Sequence, residues 1–117
     1  MTNINYGHRN TLGDGNTLGH WNTLGNFFKY GNRLTLAGIK VVKLMTLANL
    51  DGSGRQVKII VNPDYQIFVE AGCFLGSLSE FLDKAAKENK RFYVEVVKAA
   101  AEALLNEAKA QGLTGGW

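Results

Sequence analysis

The chain has 117 residues, enough for one domain of ~100–150 residues and too few for a large enzyme. Hydrophobic residues at 45% and charged residues at 20% describe a folded protein rather than a disordered one. With 13 Lys+Arg against 10 Asp+Glu, the net charge of +3 permits an anionic ligand and lacks the basic excess of a nucleic-acid binder.

A single cysteine, Cys73, excludes an internal disulfide and a thiolate metal cluster from one chain, and it fits a reducing compartment. The opening "MTNINYGHRN" has no apolar leader, and no run approaches the ~20 apolar residues that cross a bilayer. The expected location is the cytoplasm, away from any membrane.

The first element is a repeat. Asn-Thr-Leu-Gly begins at Asn10, Asn16 and Asn22, and hexads set from Tyr6 read "YGHRNT", "LGDGNT", "LGHWNT", "LGNFFK" and "YGNRLT", followed by "LAGI". An aliphatic or aromatic residue followed by Gly, every six positions, predicts short strands ending at glycine-permitted corners. Three hexads make an 18-residue coil that stacks Tyr6 under Leu24, Leu12 under Tyr30 and Leu18 under Leu36. From Tyr6 to Ile39 the pattern resembles the left-handed β-helix of hexapeptide-repeat proteins, which implies a short β-solenoid over residues 1–38. Fewer than two coils bury little core, so the following domain or further copies of the chain must cover them. A homo-oligomer, a trimer or larger, is the expected arrangement.

Residues 39–117 are expected to form a separate module. "RLTLAGIKVVKLMTLANL" and "RQVKIIV" read as a hairpin turning at "DGSG", and "YQIFVEA" follows the "NPD" turn as a third strand, giving an antiparallel meander. Ser77 and Glu80 form a capping box that starts a helix with Leu78, Phe81, Leu82 and Ala85 on one face. A longer helix is expected from about Arg91 to Ala110, with Phe92, Val96, Ala99, Ala103 and Leu104 as its apolar stripe and Gly112 as its stop. The fold class is therefore α+β. The segment from Tyr65 to Leu104 resembles a small module of bacteriophage and prophage proteins at Gly72, Cys73, Ser77 and Glu80. That resemblance implies a phage setting and assigns no active site.

Candidate chemistry is sparse. His8, Asp14 and His20 lie six apart and diverge around a coil, which disfavours a metal site, and no cofactor is expected. "GDGNTLG" lacks the third glycine and the helix of a dinucleotide loop. Cys73 reads as a buried structural thiol at a strand end, since both histidines lie in the other region. "KRFYVEV" lacks the glycine of an RNA-recognition strand and reads as helix.

The outward hexad positions are more suggestive. Arg9, Trp21 and Arg33, with His20 and Lys29 nearby, mix guanidinium, amine and aromatic groups. Such a set suits a phosphate beside a base, or a protein interface. The resulting expectation is a non-enzymatic binding protein that sequesters an anionic signalling nucleotide for a phage, with Arg9, His20, Trp21, Lys29 and Arg33 at the site. The alternatives are an inhibitor that blocks a host defence protein and a structural oligomerisation element. Hexapeptide-repeat acyltransferases have many more coils, so that activity is discounted.

Overall fold

The computed structural model describes residues 5–6, 11–19, 23–24 and 29–117. Six two-residue strands mark the hexads: β1 (Asn5–Tyr6), β2 (Thr11–Leu12), β3 (Thr17–Leu18), β4 (Thr23–Leu24), β5 (Lys29–Tyr30) and β6 (Thr35–Leu36). They pair in parallel as β1 with β4, β2 with β5 and β3 with β6, aligning Tyr6 with Leu24, Leu12 with Tyr30 and Leu18 with Leu36. Each pair is 18 residues apart in sequence, the register that the hexad spacing predicts.

Close backbone approach explains one of the hexad glycines, Gly31, whereas Gly13 and Gly19 face open space. A Cβ on Gly31 would lie 2.8 Å from the carbonyl carbon of Gly13 and 2.9 Å from the nitrogen of Asp14, so only glycine fits under the preceding turn. Asp14 then accepts the Asn32 N–H at 2.7 Å, while Gly15 N–H donates to the Asn32 carbonyl at 2.8 Å. Gly15 and Arg33, again 18 apart, both adopt positive φ, 75° and 55°. The left-handed conformation at Arg33 is unusual for a side-chain-bearing residue, and its N–H donates to the Gly115 carbonyl at 2.6 Å. Asn16 donates its side-chain amide to the Gly13 carbonyl at 2.8 Å. Asn10 and Asn22 lie outside the described residues.

The expected long strand after Arg33 is broken. Ala37 and Gly38, with φ of 52° and 81°, reverse the chain so that β7 (Ile39–Lys40) pairs antiparallel with β6. Two consecutive left-handed residues form the tight turn that a hairpin needs. Alanine gave no signal for it. The continuous sheet starts only at β8 (Lys43–Ala48) and runs through β9 (Gln56–Val61), β10 (Ile67–Ala71) and β11 (Phe74–Ser77). It is an antiparallel meander in the order β11-β10-β9-β8, with β11 a fourth strand that the sequence reading merged into the helix approach.

Both faces of this sheet are covered. On β9, Val57, Ile59 and Val61 join the core under the helices, whereas Ile60 joins Leu18, Leu24, Leu34 and Leu36 of the hexads. Leu44, Phe68 and Leu75 share the hexad-facing side. The alternation of β9 therefore carries buried residues on both sides, because each face has a partner layer. Among them sits an ion pair: Lys58 Nζ lies 3.0 Å from Glu70 Oε1, with side chains 5% and 1% exposed, directly opposite one another across β9 and β10.

Helix α1 (Leu78–Lys87) starts at the expected capping box: the Glu80 N–H donates to Ser77 Oγ at 3.2 Å, and the Ser77 N–H donates to Glu80 Oε1 at 2.9 Å. Helix α2 (Arg91–Ala110) has the expected bounds and stops at Gly112, where the Leu113 N–H donates back to the Ala108 carbonyl at 3.0 Å. Its buried face is a correction at every expected position except Leu104. Tyr93, Val97, Ala101, Leu104 and Ala108 enter the core, whereas Phe92 is 57% exposed and Val96, Ala99 and Ala103 belong to neither cluster. The helix carries two apolar stripes, and only the one centred on Val97 meets the sheet.

The last residues tie the layers together. Trp117 donates its indole N–H to the Val41 carbonyl at 3.1 Å, Tyr65 donates its hydroxyl to the Leu113 carbonyl at 3.0 Å, and Lys40 Nζ lies 5.0 Å from the Trp117 ring centroid. No helix among the described residues is long and apolar enough to cross a membrane.

Candidate functional site

A cleft of about 310 Å³ opens where the ends of β9 and β10 meet the junction of α1 and α2. Its floor is apolar: Val57 and Ala71 come from paired strands, Phe81 and Ala85 from successive turns of α1. Phe81 packs edge-on against Phe74 at 5.6 Å between centroids and lies 6.5 Å from the Tyr93 ring, so aromatic groups define one wall.

The rim is cationic. Arg55, at the start of β9, and Lys84 and Lys90, before and after the helix junction, border the cleft with Glu88, the one carboxylate there among the described residues. Local structure places them. Asn89 takes a left-handed conformation, φ 59°, and the Lys90 N–H returns to the Ala85 carbonyl at 2.8 Å, closing α1 and turning the chain into α2. Lys90 then lies 5.7 Å from the Tyr93 ring centroid. Glu88 accepts from Lys84 at 2.5 Å and pairs with Lys90 at 3.4 Å, and the Lys84 hydrogen bond, aided by Lys90, pulls its carboxyl below the usual range.

Behind the rim, Asp51 is drawn down to about 2, first by the Ser53 hydroxyl at 2.5 Å and next by its N–H at 3.0 Å, with Tyr93 contributing less. Tyr93 is pushed up, mainly by burial and secondarily by its hydrogen bond to Asp51. The tyrosine hydroxyl is thus a neutral, fixed group at the cleft wall.

Cys73 also lines this cleft, in the turn between β10 and β11, and it is exposed. This corrects the expectation of a buried thiol: Gly72, at φ 56°, carries the chain around the β10–β11 corner and leaves the next residue outside both cores.

Two of the five sequence-derived site residues fall among the described residues. Arg9, His20 and Trp21 lie outside the described residues. Lys29 and Arg33 are exposed, on β5 and at the neighbouring corner, and neither borders the cleft. The rim residues had one legible signal: "KAAKENKR", Lys84 to Arg91, concentrates positive charge at a helix-to-helix turn. Arg55 gave none, because its contribution depends on strand pairing that brings it beside Gly72.

Comparison of the chain with protein-family models, with curated proteins and with solved structures yields no match. The geometry of the cleft therefore stands as its own argument for what can bind there.

Proposed function

We propose that the protein is a non-enzymatic binding protein that captures an anionic small molecule with a planar or apolar body, of the signalling-nucleotide class. The observation that carries this reading is the cleft: Arg55, Lys84 and Lys90 ring an apolar floor with aromatic walls. Guanidinium and ammonium groups recognise phosphate, while an apolar surface accepts a base. A volume of about 310 Å³ falls at the lower end of small-molecule sites, ~300–1,000 Å³, which suits a single nucleoside unit.

The parallel hexad pairs are read as just under two coils of β-solenoid, serving as a cover for the sheet and as a contact surface between copies in a homo-oligomer. The resemblance of the C-terminal half to a phage and prophage module supplies a setting: sequestration of a host defence signal in the host cytoplasm. A second reading, inhibition by docking on a protein, is favoured by Phe92, whose exposed ring lines up with Val96, Ala99 and Ala103 on α2.

Calorimetric titration of the full chain with adenosine and guanosine 5′-monophosphates tests the first reading. One ligand per cleft is expected, and Arg55→Ala weakens it at least tenfold, the scale of one hydrogen bond to a charged group at about 1.5–3 kcal/mol. Absence of binding, or binding that Arg55→Ala leaves unchanged, overturns the reading.

A further inference from the structure

The rim of the cleft holds an anion position that the chain already fills. Glu88 bridges Lys84 at 2.5 Å and Lys90 at 3.4 Å, and among the described residues it is the only carboxylate bordering the cleft. The adjoining helix would favour an anion there. Helix α2 begins at Lys90 with no side chain capping its first turn and no acidic residue in that turn. An uncapped helix start presents N–H groups and the positive end of the helix dipole. Across the cleft, the Arg55 guanidinium has no ion pair among the described residues.

We propose that Glu88 is a resident competitor for a phosphate subsite formed by Lys84, Lys90 and the start of α2. An incoming phosphomonoester displaces the Glu88 carboxylate and takes its two lysines, while Arg55 reaches it from the opposite rim. This deepens the capture reading above and rests on the same cleft. It narrows the ligand to a nucleoside monophosphate, since two lysines shared with one carboxylate match one terminal phosphate, and the cleft holds one base.

The subsite is also a selectivity device. A ligand with a weak anion, such as a neutral nucleoside, leaves Glu88 in place and finds only the apolar floor. A dianionic phosphate outcompetes a monoanionic carboxylate for the same two cations. Both lysines are about half exposed, 53% and 41%, so the resident pairs are weak and exchange is cheap.

The test uses the full chain and Glu88→Gln, which keeps the size of the side chain and removes its charge. Inorganic phosphate is titrated while the amide resonances of Lys90, Arg91, Phe92 and Tyr93 are followed, and adenosine 5′-monophosphate is titrated by calorimetry. Glu88→Gln is expected to bind both about fivefold more tightly than the native chain, on the scale of two weak exposed pairs. Adding Lys84→Met should abolish the gain. Phosphate binding that is unchanged or weakened in Glu88→Gln overturns the inference even where the nucleotide binds. Tighter phosphate with no nucleotide bound by either protein upholds the subsite and overturns the nucleotide reading instead. Thermal melts of each variant confirm that the fold is retained.

Discussion

Replacing Lys58 with methionine should be among the most damaging single changes outside the apolar core. Lys58 and Glu70 face each other across β9 and β10 at 3.0 Å, both nearly inaccessible, on the side of the sheet that the hexads cover. Methionine retains most of the volume and removes the charge, so the buried Glu70 carboxylate loses the Lys58 contact at 3.0 Å. Breaking a buried pair in this way costs about 3–5 kcal/mol, a large part of a typical total of ~5–15 kcal/mol. With a urea dependence of ~1–3 kcal/mol/M, the unfolding midpoint should fall by on the order of 2 M. The double variant Lys58→Met/Glu70→Leu removes both charges of this pair and should recover part of the loss, since exchanging a buried pair for packed apolar groups is often neutral or stabilising. Equilibrium urea unfolding of the three proteins at neutral pH decides the matter. Should the double variant be as unstable as the single one, the cost lies in packing rather than charge, and the electrostatic account is wrong.

Two further outcomes follow from the packing. Leu104→Ala should cost about 2–5 kcal/mol because Leu104 is buried between α2 and the sheet, whereas Phe92→Ser on the outward face should stay within about 0.5 kcal/mol; thermal unfolding separates them. Tyr30 and Tyr93 are both pushed above 10.0, in each case chiefly by burial. The folded state favours their neutral form, so stability is full below pH 10 and is lost as pH rises through the folded values. Melting temperature should fall steeply from about pH 10 upward, together with delayed tyrosinate absorbance from these two rings.

How much of this was legible depends on the range of the interaction involved. The hexad register was readable because it is a pure spacing rule: Leu18 lies over Leu36 whatever else the chain does. The capping box at Ser77 and Glu80 was equally local. The face of α2 was not, since Phe92, Val96, Ala99 and Ala103 keep helical spacing as faithfully as Tyr93, Val97, Ala101 and Leu104. Only the position of the sheet chooses between the two stripes. The reversal at Ala37 and Gly38 was hidden for a related reason: an alanine at positive φ carries no turn signal. The cleft was the least readable feature, because Arg55 and Lys90 are brought together by strand pairing and a helix junction 35 residues apart in sequence.

The same long-range contacts answer why so short a repeat can hold together. Six two-residue strands enclose little interior, and the sequence alone pointed to the following domain or to other copies of the chain for cover. The sheet supplies much of that cover within one chain: Ile60, Phe68, Leu44 and Leu75 close over the hexad leucines. At the strand edge, Gln56 takes the place of a further strand. Its side-chain oxygen accepts the Leu24 N–H at 2.9 Å, and its amide donates to the Leu24 carbonyl at 2.6 Å, reproducing with one side chain the exchange a neighbouring strand would make. At another point the Tyr30 hydroxyl accepts the Leu44 N–H at 2.9 Å. The chain's last residues finish the far corner, where Gly115 accepts from Arg33 and Trp117 from its indole holds Val41. Assembly of several chains is then not required to bury Leu18, Leu24, Leu34 and Leu36. An oligomer of the kind proposed would then use surfaces outside that core, such as the outward side of the hexads.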